Sequence, residues 1–293
     1  MLYRIFSYLF LFILLPAVLP AQTSTIHESL AIESSVLNKN VNYNIYLPNG
    51  YEESNRSYPV LYLLHGYTDN EIGWTQFGEV QQIADEASES LSVTDMIIVM
   101  PDAGVSWYIN NHDGSVNYED FFTQELIPHV DETYRTRATK EFRAVAGLSM
   151  GGYGTLIMAT KHSELFIAAA PLSAAVFLDE EISGMPQENW DNALGTPFGE
   201  ALEGEDRLTD HYYKNSIIEI MENGDQEAIK SVDYYIDCGD DDFLIRGNLA
   251  LYDMMVQNEI SAEFRVRDGA HTWDYWRTAL PDVLEFVSAR FQR

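Results

Sequence analysis

The sequence predicts an α/β fold: an open, doubly wound and mostly parallel sheet with helices on both faces. Three observations predict it. Short, almost wholly apolar runs recur at residues 58–64, 96–100, 142–148, 167–172 and 232–238, and continuous rather than alternating apolarity suits strands covered on both sides. Helix-like stretches separate many of these runs, and strand alternating with helix along one chain gives parallel crossovers. No repeat, low-complexity linker or composition break divides residues 22–293, so they read as a single domain.

The elements follow in order. Residues 1–21 carry one charge, Arg4, and an apolar run over 5–15 broken only by Ser7 and Tyr8. Pro16 and Pro20 end it, and Leu19-Pro20-Ala21 precedes Gln22 as a small-residue cleavage site would. The run is shorter than the roughly 20 residues that span a bilayer, which favours a removable signal peptide over an anchor. The expected location is therefore secreted or periplasmic, with no stable membrane anchor once the signal is cleaved. Residues 41–47 alternate like a half-exposed strand, and 262–266 form a last short strand. Within residues 119–134, Phe122, Leu126, Ile127 and Val130 share one face at helical spacing. Further helices are expected around 155–161, over 248–257 and over 281–291, the last with Pro281 in its first turn. Residues 174–231 break the rhythm: they are polar, turn at Gly195-Thr196-Pro197, and read as a cap-like insertion over the sheet edge.

Composition narrows the function classes. Among 293 residues, 46 Asp and Glu face 17 Lys and Arg, a formal net charge of −29. A field of that sign repels phosphate backbones and anionic headgroups, so nucleic acid is not an expected partner. The 46% hydrophobic and 13% aromatic content excludes a disordered acidic chain. A single cysteine, Cys238, excludes an internal disulfide framework and any cysteine-rich zinc site. Its place in a strand-like run, with no neighbouring histidine, reads as a small buried residue.

The chemistry begins where the strand-like run at 142–148 ends. Gly147-Leu148-Ser149-Met150-Gly151-Gly152 is a G-x-S-x-G sequence between a strand and a helix, the setting in which a sharp turn exposes a nucleophilic serine. Side chains at Gly147 or Gly151 would collide with neighbouring backbone. A serine hydroxyl needs a base. Of the histidines that follow, His162 falls on the helix leaving the turn and His211 in the insertion, whereas His271 lies just after the last strand, on the rim that the turn also faces. The imidazole needs an acid to set its tautomer. Asp240, Asp241 and Asp242 follow the preceding strand, and chain order admits all three. Calcium is a rival use of that cluster, but the D-x-D-x-D-G loop with its distal glutamate is absent. An oxyanion needs two backbone donors. Met150, after the nucleophile, supplies one, and the turn His65-Gly66-Tyr67 offers the Tyr67 amide for the other. No metal or cofactor is expected.

Five segments together resemble a known family: Leu63-Leu64-His65-Gly66; Met100-Pro101-Asp102-Ala103-Gly104 with Ser106-Trp107-Tyr108; Glu125-Leu126-Ile127-Pro128; the Ser149 turn; and Gly269-Ala270-His271-Thr272-Trp273. They look like the "Putative esterase" family, which includes esterase D (S-formylglutathione hydrolase), feruloyl and acetylxylan esterases, and the antigen 85 mycolyltransferases. The resemblance spans residues 26–291 and implies an α/β-hydrolase fold with Ser149 as nucleophile and His271 as base. The Gly-x-x-Asp turn of feruloyl esterase-like members, matched onto Gly239-Asp240-Asp241-Asp242, selects Asp242 as acid, with Asp240 as the fallback. It also implies that Tyr67 provides the second oxyanion amide and that Trp107 and Tyr108 lie near the substrate. Trp74 and Trp273 are further candidate faces for sugar rings. An export signal departs from the cytosolic esterase D pattern, so the expected substrates are carbohydrate-linked feruloyl or acetyl esters or small acyl esters. An acyltransferase using the same triad and a thioesterase are the alternatives.

Overall fold

The computed structural model describes residues 24–90 and 93–291. The segment expected to be a signal peptide, residues 1–21, lies outside them. Eight strands form one sheet: β1 (Thr25–Ser34), β2 (Lys39–Leu47), β3 (Val60–Leu64), β4 (Ile97–Pro101), β5 (Arg143–Leu148), β6 (Ala168–Leu172), β7 (Asp233–Gly239) and β8 (Ala262–Arg267). Their spatial order is β1-β2-β4-β3-β5-β6-β7-β8. β1 and β2 pair antiparallel, as do β2 and β4, and every later pairing is parallel. This is the α/β-hydrolase arrangement, and its parallel strands direct the loops after β3, β5, β7 and β8 to one edge.

The continuous apolar strands are buried on both faces because successive side chains point oppositely. Val60, Tyr62 and Leu64 enter one core and Leu61 and Leu63 the other. On the first side pack helices α2 (Ile127–Thr133), α3 (Met150–Lys161) and α4 (Ile245–Gln257); on the second, α1 (Val80–Glu89) and α5 (Trp273–Phe291). Small residues at the sheet centre, Ala144, Ala146 and Ala168 to Ala170, are fully buried and let the flanking helices approach closely.

Several expectations are corrected. β1 is an additional strand, largely exposed, and its alternation is broken by a bulge between His27 and Leu30, where Ser29 takes φ 48°. Pro281 does not open a helix: it lies inside α5, which begins at Trp273. Proline there removes a backbone donor, and buried Ala279, Leu280, Val283 and Leu284 around it anchor the helix to the core. The helix expected over 119–134 is not uniform. It runs as Tyr118–Phe121, a wide π turn Phe122–Leu126, then α2 with Pro128 in its first turn. The wide turn fits the proline ring, which would strike the preceding carbonyls in a regular helix. Glu125, on that turn, accepts the Ser35 and Val36 amides at 3.0 and 3.1 Å and so ties it to the β1–β2 hairpin.

Glu119, on the turn before, accepts Lys161 Nζ and His162 Nε2, both at 2.9 Å, and joins this segment to the end of α3. Burial alone would raise its carboxyl, but bonds and charge from His162 and Lys161 outweigh that and hold it below the ordinary carboxylate range. Its stabilisation is therefore present above that range and is lost as pH falls through the depressed folded value. Glu119→Gln is expected to lower Tm at neutral pH by roughly 5 °C, and the gap should close in melts recorded near pH 3. An undiminished gap there would assign the loss to packing.

Residues 174–231 fold as short helices, from Asp179–Ser183 to Gln226–Lys230, between β6 and β7. Arg207, 2% exposed, holds them together. Its guanidinium donates to the carbonyls of Leu202, Ile182 and Met185 and to Gln187 Oε1, and lies 5.0 Å from the ring centre of buried Trp190. Among the described residues no helix is long and apolar enough to cross a membrane.

Candidate active site

The chain passes from β5 to α3 through Ser149 alone, at φ 55° and ψ −117°. Few L-residues adopt this conformation, and it lifts the serine side chain out of the strand line. Two glycines make the turn sterically possible. A Cβ on Gly147 would lie 2.6 Å from the Gly151 carbonyl oxygen, and one on Gly151 would lie 2.5 Å from that of Leu64. The Ser149 amide donates to Leu172 O on the neighbouring strand at 2.9 Å, and its carbonyl accepts the amides of Tyr153 and Ala175.

The structure brings Ser149, His271 and Asp242 together. His271 Nε2 is 2.9 Å from Ser149 Oγ. His271 Nδ1 is 2.8 and 3.0 Å from the two carboxylate oxygens of Asp242. Asp242 is 2% exposed, and its Oδ1 also accepts the Leu244 amide at 2.8 Å. Burial would raise its carboxyl; hydrogen bonds from His271 and the Leu244 amide, with the nearby Ser173 hydroxyl, more than offset this and hold it low. The loops bearing the acid and the imidazole touch closely. A Cβ on Gly239 would come within 2.1 Å of Gly269 O, and Gly269 itself takes φ 151°. Asp240 and Asp241 point elsewhere: Asp240 Oδ1 accepts the Gly269 amide at 3.1 Å. Exposed Asp240, Asp241 and Asp268 cluster at this rim. His162 bonds Glu119, and His211 sits among Phe198, His112 and Asn215, so neither faces Ser149.

Met150 is the first residue of α3, where an amide has no partner within the helix. The Gly66–Tyr67 turn flanks the serine on the other side: a Cβ on Gly66 would be 3.6 Å from Ser149 Cβ and only 2.7 Å from Leu148 Cδ1. Close approach, rather than an unusual φ, explains the glycine there. His65 stays out of the chemistry. It is 1% exposed, and its Nδ1 lies 2.8 Å from Gly66 O while its Nε2 accepts the Ala103 amide at 2.8 Å. That pattern is the neutral tautomer, and burial depresses its basicity accordingly.

The aromatic candidates divide. Tyr108 is a correction: it is fully buried, its hydroxyl donates to His65 O at 3.0 Å, and its ring fills the space beside Gly154. It supports the His65 turn and cannot reach a substrate. Trp107, 5% exposed, donates from Nε1 to Ala193 O at 2.8 Å, while the Tyr67 hydroxyl donates to Asn192 O at 2.6 Å. Both pin the 174–231 segment beside the serine, and a narrow apolar cleft lined by Trp107, Tyr153, Phe177 and Ile217 runs beneath it. Trp74 is fully buried with Nε1 on Leu64 O, so it offers no face to a sugar; Trp273 is half-buried against Trp74 and Phe77. Two aromatic neighbours of the imidazole carry no pattern in the sequence. Phe243, 73% exposed, lies 4.6 Å from the His271 ring, and Trp276 meets that ring edge-on at 4.9 Å.

An α/β-hydrolase sheet with a hydroxyl, an imidazole and a carboxylate in file at its edge is the frame of an ester hydrolase. The family profile described as "Putative esterase" matches residues 34–287, so the chain belongs to that family and is a carboxylic ester hydrolase. It is 25% identical over 236 residues to an acetyl esterase of Caldicellulosiruptor saccharolyticus, covering 78% of this chain and 82% of that one. It is 35% identical over 146 residues to an endo-1,4-beta-xylanase/feruloyl esterase of Xylanibacter ruminicola, a match over 47% of this chain and only 20% of the relative's length. Among solved structures, a ferulic acid esterase aligns with a TM-score of 0.80 at 32% identity, over 92% of this chain and 99% of its own.

Proposed function

We propose that the protein is an exported serine esterase that works through an acyl-enzyme on Ser149 and releases feruloyl or acetyl groups from carbohydrate, or small acyl esters. The observation that carries this reading is the 2.9 Å approach of His271 Nε2 to Ser149 Oγ with Asp242 behind the ring.

The Ser149 oxygen attacks the ester carbonyl carbon while its proton passes to His271 Nε2. Negative charge collects on the former carbonyl oxygen, facing the amides of Tyr67 and Met150, each worth about 3 kcal/mol to the transition state. Collapse breaks the bond to the alcohol oxygen, which takes the proton from His271. Water then attacks the acyl-serine, gives its proton to His271, and the acid leaves as Ser149 recovers its hydrogen. Asp242 keeps Nδ1 protonated, so that Nε2 is the free base.

The names of the acetyl esterase, the feruloyl esterase and the ferulic acid esterase support the substrate class. The exposed Phe243 ring against His271 supports an alcohol with a flat apolar face, because the leaving alcohol must meet that imidazole. Purified protein should hydrolyse methyl ferulate, acetylated xylan or short p-nitrophenyl esters, and a fluorophosphonate probe should label the wild type and not Ser149→Ala. Equal labelling of both would end the serine assignment. Products analysed with an added sugar alcohol separate hydrolysis from acyl transfer. N-terminal sequencing of exported protein, expected to start near Gln22, tests the signal.

A further inference from the structure

Asp237, on β7, has no exposed surface and takes no part in the ester cleavage. A buried carboxylate is costly unless its oxygens are paired, and both of them are. Oδ1 accepts the Tyr275 hydroxyl. Oδ2 accepts the Tyr235 hydroxyl at 2.8 Å and the Arg267 guanidinium. Arg267 also donates to the Tyr235 hydroxyl at 2.9 Å and lies 2.9 Å from Asp282 Oδ2 on α5.

Two of these partners frame the loop that bears the imidazole. Arg267 is the last residue of β8, Tyr275 stands in the first turn of α5, and His271 is midway between them in the chain. The Tyr275 ring also backs the loop, since a Cβ on Gly269 would lie 2.3 Å from Tyr275 Cδ2. The outgoing half of the loop is laced to the turn of the acid: the Asp240 amide donates to Arg267 O at 2.9 Å and the Asp241 amide to Gly269 O at 3.0 Å. The returning half has local backbone bonds, Thr272 to Ala270 O at 2.8 Å and Trp276 to Thr272 O at 3.2 Å. Side chains of α5 tie that half to the sheet: Tyr275 on Asp237, and Trp276 Nε1 on Ser173 Oγ at 3.0 Å.

We propose that Asp237 is a positioning residue for the ester-cleaving array: by binding Arg267 and Tyr275 it fixes both ends of the His271 loop, and so holds Nε2 within reach of Ser149 Oγ while Nδ1 faces Asp242. This rests on the reading of Ser149, His271 and Asp242 as the triad. Bonds to an ionised acceptor are the stronger kind, and proton transfer depends steeply on the placement of the base.

Tyr275→Phe tests the role, because the ring stays against Gly269 and only the hydroxyl on Asp237 is lost. With protein assayed well below its melting temperature and normalised to the folded fraction, kcat for p-nitrophenyl acetate should fall about tenfold, with KM within about twofold of wild type. Asp237→Asn, which also removes the charge that holds Arg267, should lower kcat further. Glu119→Gln loosens the far end of α3 and is the stability control: it should keep wild-type kcat despite its lower Tm. The proton on His271 Nδ1, shared with Asp242, gives a far-downfield NMR resonance that should broaden or disappear in both loop variants and persist in Glu119→Gln. Wild-type kcat or an unaltered imidazole resonance in folded Tyr275→Phe would overturn the proposal, as would an equal fall in kcat in Glu119→Gln; Tyr275→Phe decides where Asp237→Asn fails to fold. If the wild type is not labelled by the fluorophosphonate, the triad reading itself fails; labelling of the wild type with unchanged kcat in Tyr275→Phe removes only Asp237.

Discussion

Ser149→Ala is expected to lower kcat on p-nitrophenyl acetate by roughly a million-fold while leaving the melting temperature within about 2 °C of wild type. The loss is large because, in the proposed mechanism, this hydroxyl forms the acyl bond, and the oxyanion donors that remain would give modest residual catalysis. The fold is spared because the strained turn is made by the glycines and by the serine's backbone. The Ser149 amide on Leu172 O and the carbonyl accepting Tyr153 and Ala175 are all retained in alanine. Stopped assays with enough enzyme to see a residual rate, beside a thermal melt, check both halves. A fully active, folded alanine variant would take Ser149 out of the reaction.

Asp242→Asn is expected to cost about ten-thousand-fold in kcat, against a change of severalfold at most for Asp240→Asn. The two residues sit in one turn yet differ in every physical respect. Asp242 is buried and receives His271 Nδ1 at 2.8 Å, so an amide there turns a donor toward a donor and favours the wrong imidazole tautomer. Asp240 is exposed and accepts only a backbone amide, Gly269, which an asparagine oxygen also accepts. Parallel kinetics on the two variants decide it, and the reverse ranking would move the acid to Asp240.

The sheet was legible where burial is two-sided. Strands β3, β4 and β6 each show an unbroken apolar run, and β5 and β7 do so apart from Arg143 and from Asp233 and Asp237, because two helical layers leave little room for polar groups. β1 escaped because it is mostly exposed and its alternation slips at the Ser29 bulge. α1 was available to a closer reading: Val80, Ile83, Ala84 and Ala87 recur at helical spacing, diluted by a polar face. The start of α5 was hidden by Pro281, which locally mimics a first turn. In the site, the strand–turn–helix context marked Ser149, and loop position marked His271. Periodicity could not choose among three adjacent aspartates; only the family's turn pattern singled out Asp242. Tyr108 misled for a simple reason: a motif gives a residue type and its place in the chain, not whether its ring faces outward. Phe243 and Trp276 meet the His271 ring through contacts for which the chain order carries no signal.

The lone thiol has a consequence for handling the protein. Cys238 lies in β7 with no exposed surface, and burial first, with the nearby Asp242 charge, pushes its ionisation up to about 12. Thiolate, not thiol, reacts with oxidants and alkylators. The thiol should therefore resist peroxide, air and iodoacetamide in the native protein without blocking agents. Rapid alkylation at neutral pH would serve as a readout that the sheet around β7 has come open.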